Sequence, residues 1–95
     1  KENIEVHVRT SLQNSHILIQ IEDNGIGIAP EDQKKLFDKF FRVSTGDKHD
    51  VKGFGLGLFY VKNICRAHGW WISVSSEIGN GTTFTIDIPE FKYKL

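Results

Sequence analysis

Apolar residues recur at every second position in paired stretches at the two ends of this chain, and that alternation constrains its fold more than any other feature. Ile4, Val6 and Val8 alternate with Glu5, His7 and Arg9, and Ile17, Ile19 and Ile21 with Leu18, Gln20 and Glu22. Such a period is that of a strand with one buried and one wet face. Gln13-Asn14-Ser15 between them supply a turn, so the two strands form an antiparallel hairpin. Near the other end, residues 71–76 and 83–88 read as a second pair, joined through Ile78-Gly79-Asn80-Gly81 with its Asn-Gly turn chemistry, and Pro89 stops the last strand.

Between the pairs the period changes. Pro30, Glu31 and Asp32 open a helix, since proline suits the first turn and early acids face the positive end of the dipole; Leu36, Phe37, Phe40 and Phe41 carry its apolar face. Leu58, Val61, Ile64 and Cys65 form the stripe of a second helix from about Leu56 to His68, with Gly69 as its C-terminal cap. Residues 44–52 are polar and aperiodic, as suits a mobile loop closing over a ligand. The order β-β-α-loop-α-β-β predicts an α+β fold, a two-layer sandwich of helices on one sheet.

The 95 residues allow one small domain with a modest core. Lysine plus arginine and aspartate plus glutamate both total 12, so no overall field draws the chain to nucleic acid or to an anionic membrane. Cys65 falls on the apolar helix face without a partner for a disulfide or a Cys-x-x-Cys metal site, and reads as a small core residue of a reducing compartment. The longest apolar run, Ile17-Leu18-Ile19, is too short to span a bilayer, and no signal-peptide pattern opens the chain. Any membrane anchor of a parent protein is expected elsewhere.

Two glycine clusters carry the chemistry. Gly53-Phe54-Gly55-Leu56-Gly57-Leu58 leads into the second helix, where uncovered backbone N–H groups and the helix dipole favour a phosphate. Asp23-Asn24-Gly25-Ile26-Gly27-Ile28 follows the second strand. Together they look like two walls of a nucleotide pocket, although a glycine cluster alone marks any turn that needs positive φ.

With these motifs in place, four blocks in fixed order resemble the ATP-binding domain of bacterial sensor histidine kinases, whose superfamily also contains DNA gyrase, mismatch-repair ATPases and a heat-shock chaperone. They are Asp23-Asn24-Gly25-Ile26-Gly27, Phe37-Asp38-Lys39-Phe40-Phe41-Arg42, the Gly53 run, and Gly79-Asn80-Gly81-Thr82-Thr83-Phe84; the resemblance covers residues 4–89. Phe37, Phe40 and Arg42, with the Gly-Phe-Gly-Leu-Gly-Leu run, are similar to histidine kinases rather than to gyrase or the chaperone. The fold implied is the Bergerat-type sandwich, with residues 43–57 as its ATP lid.

The resemblance also implies roles, and elementary chemistry agrees with them. An ionised aspartate accepts hydrogen bonds and cannot donate one, which suits the exocyclic amine of adenine and rejects the carbonyl of guanine, so Asp23 selects the base. Gly25 and Gly27 let the backbone approach the ring, with Ile28 beside them. Thr82 shares a strand face with Phe84, Ile86 and Ile88; its hydroxyl either binds adenine through water or merely finishes the hairpin. Phosphate would meet the N–H groups near Gly55, Leu56 and Gly57, where Leu58 begins the apolar stripe, with Arg42 or a loop cation (Lys48, His49 or Lys52) as counter-charge. Gly53, Gly55 and Gly57 hinge the lid, and Phe37, Phe40 and Phe41 anchor its base.

The chain also departs from the pattern. The resemblance implies a Mg²⁺-binding asparagine on a helix before the first hairpin, expected upstream of Lys1, so no metal ligand is assigned here. The sandwich is accordingly expected to be incomplete at its N-terminus, to expose apolar surface that drives self-association, and to bind ATP weakly or not at all as these residues alone. His7, His16, His49 and His68 lack the helical context of a phosphoacceptor, which is expected on a separate dimerisation domain. Trp70 stands where the family usually has glycine; Trp70-Trp71 form either a surface pair or a packing anchor. The function implied is the catalytic domain of a sensor histidine kinase that uses ATP and Mg²⁺, contains no catalytic residue in this stretch, and serves its own phosphotransfer domain and a response-regulator receiver. Its implied place is the cytoplasmic side of a membrane-anchored bacterial sensor. A degenerate interaction module and a gyrase- or chaperone-type ATPase share the fold.

Overall fold

A computed structural model describes residues 3–41 and 57–89. Two hairpins build one antiparallel sheet: β1 (Val6–Gln13) pairs with β2 (His16–Asp23), and β3 (Trp71–Ser76) with β4 (Thr82–Ile88). β2 then pairs with β4, giving the order β1-β2-β4-β3. Asn14 and Ser15 close the first hairpin with φ of 51° and 67°, the left-handed pair that matches the twist of the strands. The second hairpin is wider than an Asn-Gly turn: residues 77–81 separate its strands, with Gly79 and Gly81 at positive φ.

The register gives the sheet two unlike faces. On one, Val8, Ile21, Phe84 and Val74 stand side by side across all four strands, and Thr10, Ile19, Ile86 and Ile72 form the next row. The other carries Arg9, Gln20, Thr85 and Ser73 in a row, with Arg9 Nη1 donating to Glu22 Oε1 at 2.8 Å and His16 Nδ1 lying 2.7 Å from Asp87 Oδ1. Exposed pairs of this kind contribute at most about 1 kcal/mol, so this face is solvated rather than a second core.

Helix α2 (Gly57–Ala67) covers the apolar face over β3, with Cys65 buried in the contact. Its end is closed by Gly69 at φ 76°, whose N–H donates to the Arg66 carbonyl at 3.0 Å while Trp70 N–H reaches the Cys65 carbonyl at 2.8 Å, the left-handed glycine cap the sequence predicts. Ile64, expected on the apolar stripe, is exposed; Leu58, Val61 and Cys65 make the inward face instead. His68 and Trp70 lie ring against ring at 4.7 Å, whereas Trp71 is exposed on the polar face. Trp70 is therefore the packed member of that pair.

The helix expected to carry Leu36, Phe37, Phe40 and Phe41 stops early. α1 spans only Pro30–Gln33. Beyond it the backbone bonds to the third residue back, not the fourth, in Lys35 to Asp32, Leu36 to Gln33, Asp38 to Lys35 and Phe41 to Asp38. Phe40 takes φ 68° and is exposed. These tighter turns drop Leu36 into the core and stand Phe37 edge-on against Phe84 at 6.3 Å and 77°, contacts that compensate for the lost helical bonds.

Coverage of the apolar face is uneven. Leu36 and Cys65 are buried beside β3 and β4, but every residue of β1 is exposed, including Val6, Val8 and Leu12 at 60%, 64% and 69%. The one-face-buried strand expected for Ile4, Val6 and Val8 is thus not realised, because none of the described helical residues lies over β1.

Candidate functional site

At one end of the sheet the apolar face gives way to polar residues. Asp23 of β2 lies opposite Thr82 of β4, which lies opposite Ser76 of β3. Asp23 is at the strand end, where the chain turns: its Oδ1 accepts the Gly25 N–H at 2.8 Å. A Cβ on Gly25 would sit 3.0 Å from that oxygen, so glycine there leaves the carboxylate room. Asn24 turns the other way. Its side chain takes the Glu5 N–H at 2.9 Å and donates to the Asn3 carbonyl at 2.8 Å, extending the β1–β2 pairing by side-chain bonds.

The two outer glycine blocks prove to be a single structure. Gly27, at φ 84°, has its backbone so close to the 77–81 loop that a Cβ would fall 2.1 Å from the Glu77 carbonyl oxygen. Gly81, at φ 88°, would meet the Asp23 carbonyl oxygen at 2.1 Å in the same way. Gly79 N–H donates to the Ile26 carbonyl at 2.7 Å. Packing alone therefore demands glycine at 27 and 81, whatever ligand approaches.

Ser76 ties this cluster together. Its Oγ accepts the Ile28 N–H at 2.8 Å, donates to the Gly81 carbonyl at 2.6 Å and lies 2.9 Å from Thr82 Oγ1. Thr82 is 6% exposed. Gln33 locks the same corner, its amide nitrogen donating to the Ile28 carbonyl at 2.7 Å and the Ser76 carbonyl at 2.9 Å. Sequence reasoning missed Ser76, Gln33 and Asn24. One signal was available for Ser76: inward positions on β3 read Ile72, Val74, Ser76, so a hydroxyl stands where the alternation calls for an apolar side chain.

The remaining expected residues divide into two groups. Phe37 sits on Phe84, two residues along β4 from Thr82, with Lys62 Nζ 5.8 Å from its ring. Cys65 of α2 shares a cleft with Ile72, while Lys62, one turn earlier, reaches the level of Phe84 and its partner Val74. α2 thus runs back along β3 and aims its N-terminus, with Gly57 and Leu58, toward the Ser76 end. A Cβ on Gly57 would meet nothing within 4 Å, so packing does not require glycine there. Arg42, Lys52, Gly53, Gly55 and Leu56, and with them all of the expected lid 43–57 but Gly57, lie outside the described residues.

A cleft of about 420 Å³ lies at the other end of β3, lined by Lys62, Cys65, Arg66, Gly69, Trp70, Trp71 and Ile72. It holds neither the Asp23 carboxylate nor the paired glycine loops. Among the described residues no three His, Cys, Asp or Glu side chains cluster to hold a metal, and no helix is long and apolar enough to cross a membrane.

With Asp23, Thr82 and both glycine loops together, kinship becomes decisive. The sequence pattern of the histidine kinase-, DNA gyrase B-, and HSP90-like ATPases matches residues 1–92. The chain belongs to this family. The sensor protein RprX of Bacteroides fragilis is 51% identical over 92 residues, 97% of this chain and 18% of its own length. The signal transduction histidine-protein kinase ArlS of Staphylococcus haemolyticus is 42% identical over 86 residues, 90% of this chain and 19% of its own. The chain thus spans less than a fifth of these relatives. Among solved structures, the mycobacterial sensor histidine kinase MprB superposes with a TM-score of 0.79 at 31% identity, over 90% of this chain and 59% of that one. Full-length ShkA in complex with AMPPNP gives 0.74 at 29% identity, over 88% and 17%. The α+β architecture is that of histidine kinase ATP-binding domains.

Proposed function

We propose that this chain is the catalytic ATP-binding domain of a two-component sensor histidine kinase, and that the intact protein transfers the γ-phosphate of ATP to a histidine on its own dimerisation domain. The observation that carries this is the Asp23–Thr82 pair, set between two glycine loops that touch backbone to backbone. Asp23 takes a hydrogen from the adenine amine; its Oδ1 is steadied by Gly25. Thr82 completes the base contact. Gly25, Gly27 and Ile28 form the floor, with the Ile28 backbone held by Ser76 and Gln33.

The phosphates extend toward the start of α2, where Gly55, Leu56 and Gly57 offer backbone N–H groups and Leu58 begins the inward face. Arg42 and Lys52 are the counter-charges the sequence offers, and Phe37, of the same sequence block as Arg42, is packed on Phe84. Phosphoryl transfer is chiefly a matter of positioning and charge, so no general base is required here. Among the described residues no three His, Cys, Asp or Glu side chains are grouped for a divalent cation; the Mg²⁺ that the ATP-binding role implies would be held by residues outside this set and would supply charge neutralisation at the phosphates. A response-regulator receiver is the onward phosphate acceptor, and the domain works on the cytoplasmic side of a membrane-anchored sensor.

Asp23→Asn in the full-length kinase tests the proposal. The substitution keeps an Oδ1 acceptor for Gly25 but turns the other oxygen into a donor, so autophosphorylation is expected to fall about a hundredfold or more while circular dichroism stays unchanged. Retained formation of the acid-labile phosphohistidine would overturn it.

A further inference from the structure

The base contact leaves Ser76 without a role, although Ser76 is the best-connected side chain of the site. We propose that Ser76 is a positioning residue that fixes the hydrogen-bond polarity of Thr82, making Asp23 and Thr82 an acceptor-only pair selective for a 6-aminopurine. The proposal rests on the ATP-binding role given above and deepens it.

The hydrogens available at Ser76 and Thr82 fix the polarity. A serine hydroxyl has one hydrogen and two lone pairs. The hydrogen of Ser76 goes to the Gly81 carbonyl at 2.6 Å, and the Ile28 N–H takes one lone pair at 2.8 Å. Thr82 Oγ1, at 2.9 Å, can then only donate to the lone pair that is left. Its sole hydrogen is thereby committed to Ser76, and toward a ligand Thr82 shows lone pairs alone. Gln33 prevents an escape from this arrangement. By holding the carbonyls of both Ile28 and Ser76 at 2.7 and 2.9 Å, it keeps the Ile28 N–H on the serine oxygen.

Asp23 stands directly opposite Thr82 in the register, and an ionised carboxylate has no hydrogen to give. A base lying over the ends of these two paired strands therefore meets acceptors from both. A 6-amine supplies two hydrogens, one to Asp23 and one to Thr82 directly or through water. A 6-carbonyl opposes acceptor to acceptor, and that mismatch is the kind that a hydrogen-bonding site rejects strongly.

ATP and inosine triphosphate, which carries a 6-carbonyl, provide the test, with dissociation constants measured by competition on the full-length protein. Ser76→Ala frees the Thr82 hydrogen, so preference for ATP is expected to fall about tenfold, inosine triphosphate gaining as ATP loses. Ser76→Thr keeps the hydroxyl and the preference. In a Thr82→Val background, Ser76→Ala is expected to alter the ratio no further. Equal weakening of both nucleotides, or a ratio change that persists in Thr82→Val, would make Ser76 a packing residue only and overturn the proposal. Should Ser76→Ala fail to fold, the hydroxyl proton of Thr82 in the wild-type protein decides by its nuclear Overhauser contacts: a proton directed at Ser76 supports the proposal, and one directed away from it sinks it. Wild-type protein that binds neither nucleotide overturns the ATP-binding role itself, whereas ATP binding with an unmoved ratio removes only the role of Ser76.

Discussion

Within a single row of the sheet, Phe84 on β4 has Phe37 standing on its ring, while Val8 on β1, two strands away and facing the same side, is 64% exposed. Ile21 between them is intermediate in position and 38% exposed. The residues are alike in kind and in period, so nothing local distinguishes them. What differs is overhead: α2 and the turns after α1 lie over β3 and β4, and none of the described residues lies over β1. Alternation reports which side chains share a face. Whether that face is a core depends on what the rest of the protein lays across it.

This contrast is open to direct attack by urea unfolding of variants. The largest effect is expected at the covered end, where Gly27→Ala forces a Cβ to within 2.1 Å of the Glu77 carbonyl at a positive φ; a loss of about 3 kcal/mol or more follows. A smaller loss would mean that the two loops separate easily. Next comes Phe84→Ala, which empties the seat of Phe37 and is expected to cost about 2 kcal/mol, discounted because the ring is only half-buried. Smallest is Val8→Thr, expected to change stability by less than about 0.5 kcal/mol while reducing self-association in sedimentation velocity. If Val8→Thr destabilises as much as Phe84→Ala, the bare half is not bare in solution and the comparison fails.

The features legible in the sequence were those written in short-range order. Both hairpins, the stripe of α2 apart from Ile64 and the Gly69 cap follow from neighbours a few residues apart, and so do the places of Asp23 and Thr82, each at a strand terminus beside glycines. The turns after α1 were not legible, because Leu36, Phe37, Phe40 and Phe41 have a spacing that a helix would satisfy equally well; only contact with Phe84 and the pull of Ser76 on Gln33 settle the tighter path. Ser76 and Gln33 escaped for a related reason. Their bonds join Ile28 to Ser76 and Gln33 to Ser76, 48 and 43 residues apart, and a single long-range side-chain bond leaves no periodic trace. In the sequence Gly27 reads as a neighbour of the base and Gly81 as part of a hairpin turn, whereas the physical demand on both comes from each other's loops.

That mutual contact bears on how such a site can diversify. Two loops whose main chains touch at 27 and 77, and again at 81 and 23, cannot lengthen or shift separately: a residue inserted in one moves the carboxylate or the hydroxyl carried by the other. Descendants of this sequence are therefore free to vary the side chains of Ile26, Ile78 and Asn80, which are exposed beside the seam, but not the backbone that carries them. The inherited part of the site is the joint between the loops, and the adjustable part is the fringe of side chains around it.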